Sequence, residues 1–137
     1  MKEKNLFKYH TKIKMHDTDA AGILFFANQF KIMHDAYEEM TEQAGYSFAH
    51  VLQNKDYFMP IVHAEADYKS KLTVGDSIEV VVSIEKIGRT SFTCGYQLFK
   101  PGQKQIGSGK TVHVTIDVKK GHKIPIPGEI LEKIKKL

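Results

Sequence analysis

The sequence predicts an α+β fold in which an antiparallel sheet wraps around one long central helix. Two observations carry this. A single amphipathic helical stretch, residues 28–44, follows one alternating strand, and three long alternating stretches then run in succession with tight turns between them. A chain of 137 residues is long enough for one core and short for two, so residues 1–137 are expected to form a single domain.

The elements justify themselves in order. Phe7, Tyr9, Ile13 and Met15 alternate with Lys8, His10, Lys12, Lys14 and His16, which describes a half-buried strand. Asn28 is a candidate helix cap. Beyond it Phe30, Met33, Tyr37, Met40 and Ala44 recur at steps of three and four, Ile32 and Ala36 widen the stripe, and Gly45 supplies the stop. Glu38, Glu39 and Glu42 take the opposite side, with His34 and Asp35 at its margin facing solvent. Residues 46–59 show no sustained period and are expected to form a connection with a short helical turn, able to act as a flap.

From Ile61 to Tyr68 an apolar set, Val62, Ala64, Ala66 and Tyr68, alternates with Ile61, His63, Glu65 and Asp67. Gly75-Asp76 signals a turn. Strands are then expected at 78–87, 90–99 and 106–118, linked by Gly88-Arg89 and Pro101-Gly102-Gln103. The second places Phe92, Cys94, Tyr96 and Leu98 on one face, and the third places Val112, Val114, Ile116 and Val118 likewise. Three such strands make an antiparallel meander. A short amphipathic helix is expected from Gly128 onward. The sheet edges would be left unpaired, and pairing between two copies is the natural remedy, so a homodimer is expected.

Composition narrows the function. The formal charge of +4 is concentrated toward the C-terminal end, at Lys119, Lys120, Lys123, Lys133, Lys135 and Lys136. Such an excess can attract nucleic acid, an anionic membrane or a phosphate-bearing ligand, yet no aromatic-basic repeat or zinc spacing accompanies it, so no nucleic-acid partner is expected. The single cysteine, Cys94, excludes an internal disulfide and is read as a buried structural thiol. No stretch reaches the roughly 18 apolar residues that a membrane span needs, and a cytoplasmic location is expected.

The stretch Met15–Asn28, M-H-D-T-D-A-A-G-I-L-F-F-A-N, carries the chemistry. Asp17 and Asp19 lead into a large apolar run, Ile23 to Phe26, at the entrance of the helix. A carboxylate held against an apolar wall beside the positive end of a helix can serve as base or nucleophile while backbone N–H groups hold an anion. The same two carboxylates could instead only hydrogen-bond a turn. A metal site from His16, Asp17 and Asp19 has suitable ligand types but poor spacing and no distal partner, so no metal is expected.

At these residues the chain resembles the hotdog-fold acyl-CoA thioesterases of the 4-hydroxybenzoyl-CoA thioesterase family. The likeness covers nearly the whole chain and is most specific at Asp17-Thr18-Asp19-Ala20-Ala21-Gly22, continued by Phe26 and Asn28; it departs at Lys71-Leu72, where a Pro-Ala pair is common. The resemblance implies a hotdog fold, hydrolysis of an acyl-CoA without a cofactor, and Asp19 as nucleophile or general base. It assigns the Phe26 backbone N–H to the thioester carbonyl oxygen, Asp17 and Gly22 to support of the loop, and Phe25 and Asn28 to the acyl pocket, with Phe26 beside them. Arg89, Lys119, Lys120 and Lys123 would meet the CoA phosphates, and a homodimer or homotetramer is implied. The motif and His34-Asp35-Ala36-Tyr37-Glu38 look most like the members that hydrolyse 1,4-dihydroxy-2-naphthoyl-CoA in menaquinone or phylloquinone synthesis, which points to an aromatic acyl group. A short-chain acyl-CoA thioesterase, a hotdog dehydratase and a non-catalytic acyl-CoA-binding module are the alternatives.

Overall fold

The structure, a computed structural model, describes residues 6–47, 49, 52–53, 56–102 and 104–137. Its main sheet has five strands in the order β1-β4-β5-β6-β3, every neighbouring pair antiparallel. These are β1 (Phe7–Lys12), β3 (Ile61–Tyr68), β4 (Ser77–Ile87), β5 (Ser91–Phe99) and β6 (Gln105–Val114). Two short strands, β2 (Tyr57–Phe58) and β7 (Ile116–Asp117), pair separately. Helix α1 (Asn28–Gln43) packs on one face of the sheet and α2 (Gly128–Lys135) follows the last strand. This is the hotdog arrangement, with a central helix of 16 residues.

The helix buries the stripe that its spacing demands. Ile32, Met33, Ala36, Tyr37 and Met40 are all buried, against Ile78, Val80, Val82, Phe92, Cys94, Tyr96 and Leu98 of the sheet. Each large side chain so buried contributes about 1.5–3 kcal/mol. The C-terminus of α1 closes as a Schellman motif: Gly45, at φ +85°, donates to the Glu42 carbonyl (3.0 Å) and Tyr46 donates to that of Thr41 (2.8 Å). Lys133 Nζ, on α2, donates to the Gly45 carbonyl at 2.7 Å and ties the two helices together.

Three expectations are corrected. The stretch 106–118 is not one strand but two, because Thr115 turns its N–H to the Thr90 carbonyl and Ile116–Asp117 leaves the sheet to pair with β2. The face of β6 toward the helix is not Val112 and Val114 but Gly107, Gly109, Thr111 and His113; Gly109 pairs with Tyr96 and Ala66, and Gly107 with Leu98 and Tyr68. The reason is proximity of α1, since a Cβ on Gly109 would stand 2.5 Å from Met33 Cε. Asn28 is the first residue of α1 rather than its cap, which is Ala27 without a side-chain capping bond. The helical turn and flap expected within 46–59 fall largely on residues 48–55, several of which lie outside the described residues, as does Gln103 of the expected turn.

Thr111 and His113 make a polar seam inside the core. Thr111 Oγ1 stands 2.7 Å from His113 Nε2 and 2.8 Å from the Tyr96 hydroxyl oxygen, while the imidazole stacks on Phe92 with ring centres 4.8 Å apart. Burial, with a smaller contribution from His34, pushes the His113 pKa down to about 4. Between there and the ordinary value near 6.5 the unfolded chain binds a proton that the folded chain refuses. Stability should therefore be complete above pH 6.5 and fall as the pH drops toward 4, by up to about 3 kcal/mol. Urea unfolding at a series of pH values reads this directly, and His113→Gln should flatten the slope; an equal slope in the variant would assign it elsewhere.

Burial also pushes the Cys94 thiol up to about 12, consistent with an unreactive structural thiol. Edge strand β3 is the contrast to this core. Of its eight residues only Ala66 is half-buried and the rest are exposed, Val62 and Tyr68 among them.

Candidate active site

The acidic loop is a small hairpin folded around Asp17. After β1 a single 3-10 turn, Met15–Asp17, buries the Asp17 carboxylate, whose Oδ2 accepts the Lys14 N–H at 2.9 Å. Its Oδ1 lies 3.5 Å from Lys31 Nζ and 3.6 Å from His16 Nε2. The Asp17 carbonyl accepts the Phe25 N–H (3.0 Å) and Asn28 Nδ2 (2.8 Å). Asp17 thus ties the strand end, the loop and the first helical turn together.

Asp19 is placed quite differently. It is exposed at the hairpin tip, where Oδ1 accepts the Ala21 N–H at 2.9 Å and the main chain closes by bonds from Asp19 N to Ile23 O and from Gly22 N to Asp19 O. Gly22 has φ +74°, a conformation that a side chain would strain, so the turn requires glycine there. The bridge Thr18–Leu24 closes the hairpin, and the bridge Ile23–Thr73 with a 2.8 Å bond from Leu24 N to Leu72 O docks it onto the segment before β4.

Next comes the entrance of α1. Asn28, Gln29 and Phe30 donate back to Phe25, Phe26 and Ala27. The N–H groups of Phe26 and Ala27 donate to no protein acceptor among the described residues. They carry the positive end of the helix, and the Phe26 side chain is 62% exposed beside them. A cleft of about 410 Å³ opens here, with Ile23, Leu24, Phe26 and Leu72 as its apolar wall. Gln29 and Tyr68 provide polar atoms, and Lys69 and Lys71 line it as well. Its size suits a small-molecule ligand. A smaller apolar recess of about 150 Å³ lies toward the other end of α1, against Met40, and is remote from the acidic loop.

The other expected site residues are spread out. Phe25 is half-exposed with its ring 4.8 Å from that of Phe26. Arg89 sits in the β4–β5 turn and Lys119 and Lys120 in the turn after β7, at the opposite end of the ladder from Tyr68 and the cleft within the same chain. Tyr68 and Gln29 are additions that the sequence did not single out. Tyr68 Oη donates to the Phe26 carbonyl at 2.7 Å, and Gln29 Nε2 donates to the carbonyls of Asp67 (3.1 Å) and Ser108 (3.2 Å). Both reach across the fold to distant strands, which no local pattern announces. Among the described residues no group of three or more His, Cys, Asp or Glu converges as a metal site would require. No helix of the described residues is long and apolar enough to cross a membrane.

A hotdog sheet with an acidic hairpin feeding a helix N-terminus defines a class, and the family model of the thioesterase-like superfamily matches residues 13–134. The chain belongs to that superfamily. Within it, the chain is 33% identical to a 1,4-dihydroxy-2-naphthoyl-CoA hydrolase of Nostoc punctiforme over 92% of this chain and 84% of the relative. Among solved structures it is similar to a 1,4-dihydroxy-2-naphthoyl-CoA thioesterase from Synechocystis, with a TM-score of 0.92, 26% identity, and coverage of 97% and 98% of the two chains. A gentisyl-coenzyme A thioesterase is similar at a TM-score of 0.82 and 29% identity, covering 93% of this chain and 98% of the other.

Proposed function

We propose that this protein hydrolyses the thioester of an aromatic acyl-CoA, with 1,4-dihydroxy-2-naphthoyl-CoA as the leading candidate, and that Asp19 carries the reaction. The observation behind it is the exposed Asp19 carboxylate on a hairpin anchored at the helix entrance, where Phe26 offers an unused N–H beside an apolar cleft. The named relatives support the acyl group, since each acts on a ring-bearing acyl-CoA.

Two balanced routes fit. In one, the Asp19 carboxylate attacks the thioester carbon, the tetrahedral oxyanion rests on the Phe26 N–H, and its collapse expels CoA thiolate to leave a mixed anhydride that water cleaves. In the other, Asp19 takes a proton from water as that water attacks, and the expelled thiolate receives a proton afterwards. Either way the N–H donor acts where charge develops, and such a donor is worth about 3 kcal/mol. Neither route needs a cofactor or metal, and a cytoplasmic setting fits the CoA substrate.

The same reading includes a homodimer joined along β3. The strand leaves both faces exposed and is a free edge. Antiparallel pairing of two β3 strands sets the start of one beside the end of the other. The end of one protomer bearing Arg89, Lys119 and Lys120 is thereby brought toward the Asp19 end of its partner, where the phosphates of CoA would be met.

Thiol release from 1,4-dihydroxy-2-naphthoyl-CoA, 4-hydroxybenzoyl-CoA and short and long linear acyl-CoAs tests the function, with sedimentation for the dimer. Release fastest from a ring-bearing substrate is expected. Release fastest from a short linear acyl-CoA would replace the aromatic assignment, and binding without release would make the chain a carrier of acyl-CoA.

A further inference from the structure

Two long hydrogen-bonded reaches toward the helix entrance take no part in either route above. Tyr68 closes β3 and its hydroxyl is bonded, at 2.7 Å, to the carbonyl of Phe26, a residue 42 positions earlier in the chain. Among the described residues the other donor to that carbonyl is the Gln29 N–H, at a long 3.3 Å. Gln29 itself, 2% exposed, is fastened through its amide to the backbones of β3 and β6. The first turn of α1 is thus bolted to the end of the sheet from two sides. Partial burial raises the pKa of Tyr68 above its ordinary value, so the hydroxyl stays protonated and donates throughout the neutral range.

The carbonyl that Tyr68 holds belongs to the peptide joining Phe26 to Ala27. Fixing its oxygen fixes the plane of that peptide, and with it the direction of the Ala27 N–H. A carbonyl accepting an O–H bond is also polarised, which strengthens its own N–H as a donor. Helix entrances without a side-chain cap fray, and α1 has none. The tyrosine therefore replaces the missing cap with a clamp from the neighbouring strand.

We propose that Tyr68 is a positioning residue for the thioester carbonyl: it holds the Ala27 N–H, next to the Phe26 N–H at the helix entrance, in the direction of the developing oxyanion without touching the reacting atoms. This rests on the reading of Asp19 and the helix entrance as the thioester site. Differential stabilisation of the transition state is what a preoriented donor supplies, so its loss belongs in kcat rather than KM.

The test is Tyr68→Phe, which keeps the ring in the cleft and deletes only the hydroxyl. With 1,4-dihydroxy-2-naphthoyl-CoA as probe, kcat should fall about 10-fold while KM stays within twofold, with the urea midpoint and sedimentation coefficient unchanged. A kcat within twofold of wild type, or a fall matched by a lower midpoint or a dissociated dimer, would overturn the proposal. Asp19→Asn measured alongside separates the two levels: full turnover by that variant sinks the thioester-site reading itself, whereas a dead Asp19→Asn with an unaffected Tyr68→Phe sinks only the role of the tyrosine.

Discussion

Substituting Asp19 by Asn is expected to slow thiol release by on the order of 10³-fold, about 4 kcal/mol of barrier, with the fold intact. The carboxamide has the same shape, and its oxygen can still accept the Ala21 N–H that now binds Oδ1 at 2.9 Å. What it lacks is a negative charge to attack a carbonyl or take a proton from water. Asp19 is exposed and its loop is closed by main-chain bonds, so little else depends on it. Asp17→Asn should behave in the opposite way, because that side chain is 8% exposed and faces Lys31 and His16. Its loss should appear in the unfolding midpoint and substrate affinity more than in turnover. Should Asp17→Asn abolish turnover and Asp19→Asn leave it intact, the roles within the pair are exchanged.

Gly109→Ala should destabilise the protein by about 2 kcal/mol, the cost of forcing a methyl group into a filled space. The new Cβ would meet Met33 Sδ at 2.7 Å and the Glu65 backbone carbonyl oxygen at 2.8 Å. Methionine can swing aside, but the neighbouring strand cannot. Gly95→Ala is the control, since its Cβ would meet the flexible carboxyl end of Glu85, free to move away. Urea midpoints of the two variants decide the matter: equal, small losses would mean that α1 is not held as close to β6 as Met33 and Gly109 require.

The alternation of β5, the α1 stripe, the Gly45 stop and the terminal helix were legible because each follows from a local period or a single residue's conformational freedom, whereas Met15, 78% exposed, lies in the turn beyond β1 and not on its buried side. The orientation of β6 was not legible. Its valines advertise a buried face, yet the close approach of α1 selects glycine, and the polar seam of Tyr96, Thr111 and His113 satisfies itself across strands. Asn28 likewise has the chemistry of a cap, but it stands one position inside the helix, where its Nδ2 donates to the Asp17 carbonyl 11 residues away. The acidic motif of the candidate site was visible for the reason that its geometry is local. Tyr68 and Gln29 stayed hidden because their partners are made by the fold, at separations of 42, 38 and 79 residues.

The position of β3 has a consequence for how the chain is made. Among the described residues its strand partner in the sheet is β6, which follows it after the whole of β4 and β5. On a ribosome adding roughly 5–20 residues per second, β3 emerges and waits some seconds with neither edge paired. The hairpins β4–β5 and β5–β6 close locally and should form first, offering β3 a finished template. His63, Glu65 and Asp67, which alternate with the apolar side chains along it, are suited to guard the strand against self-association during that interval.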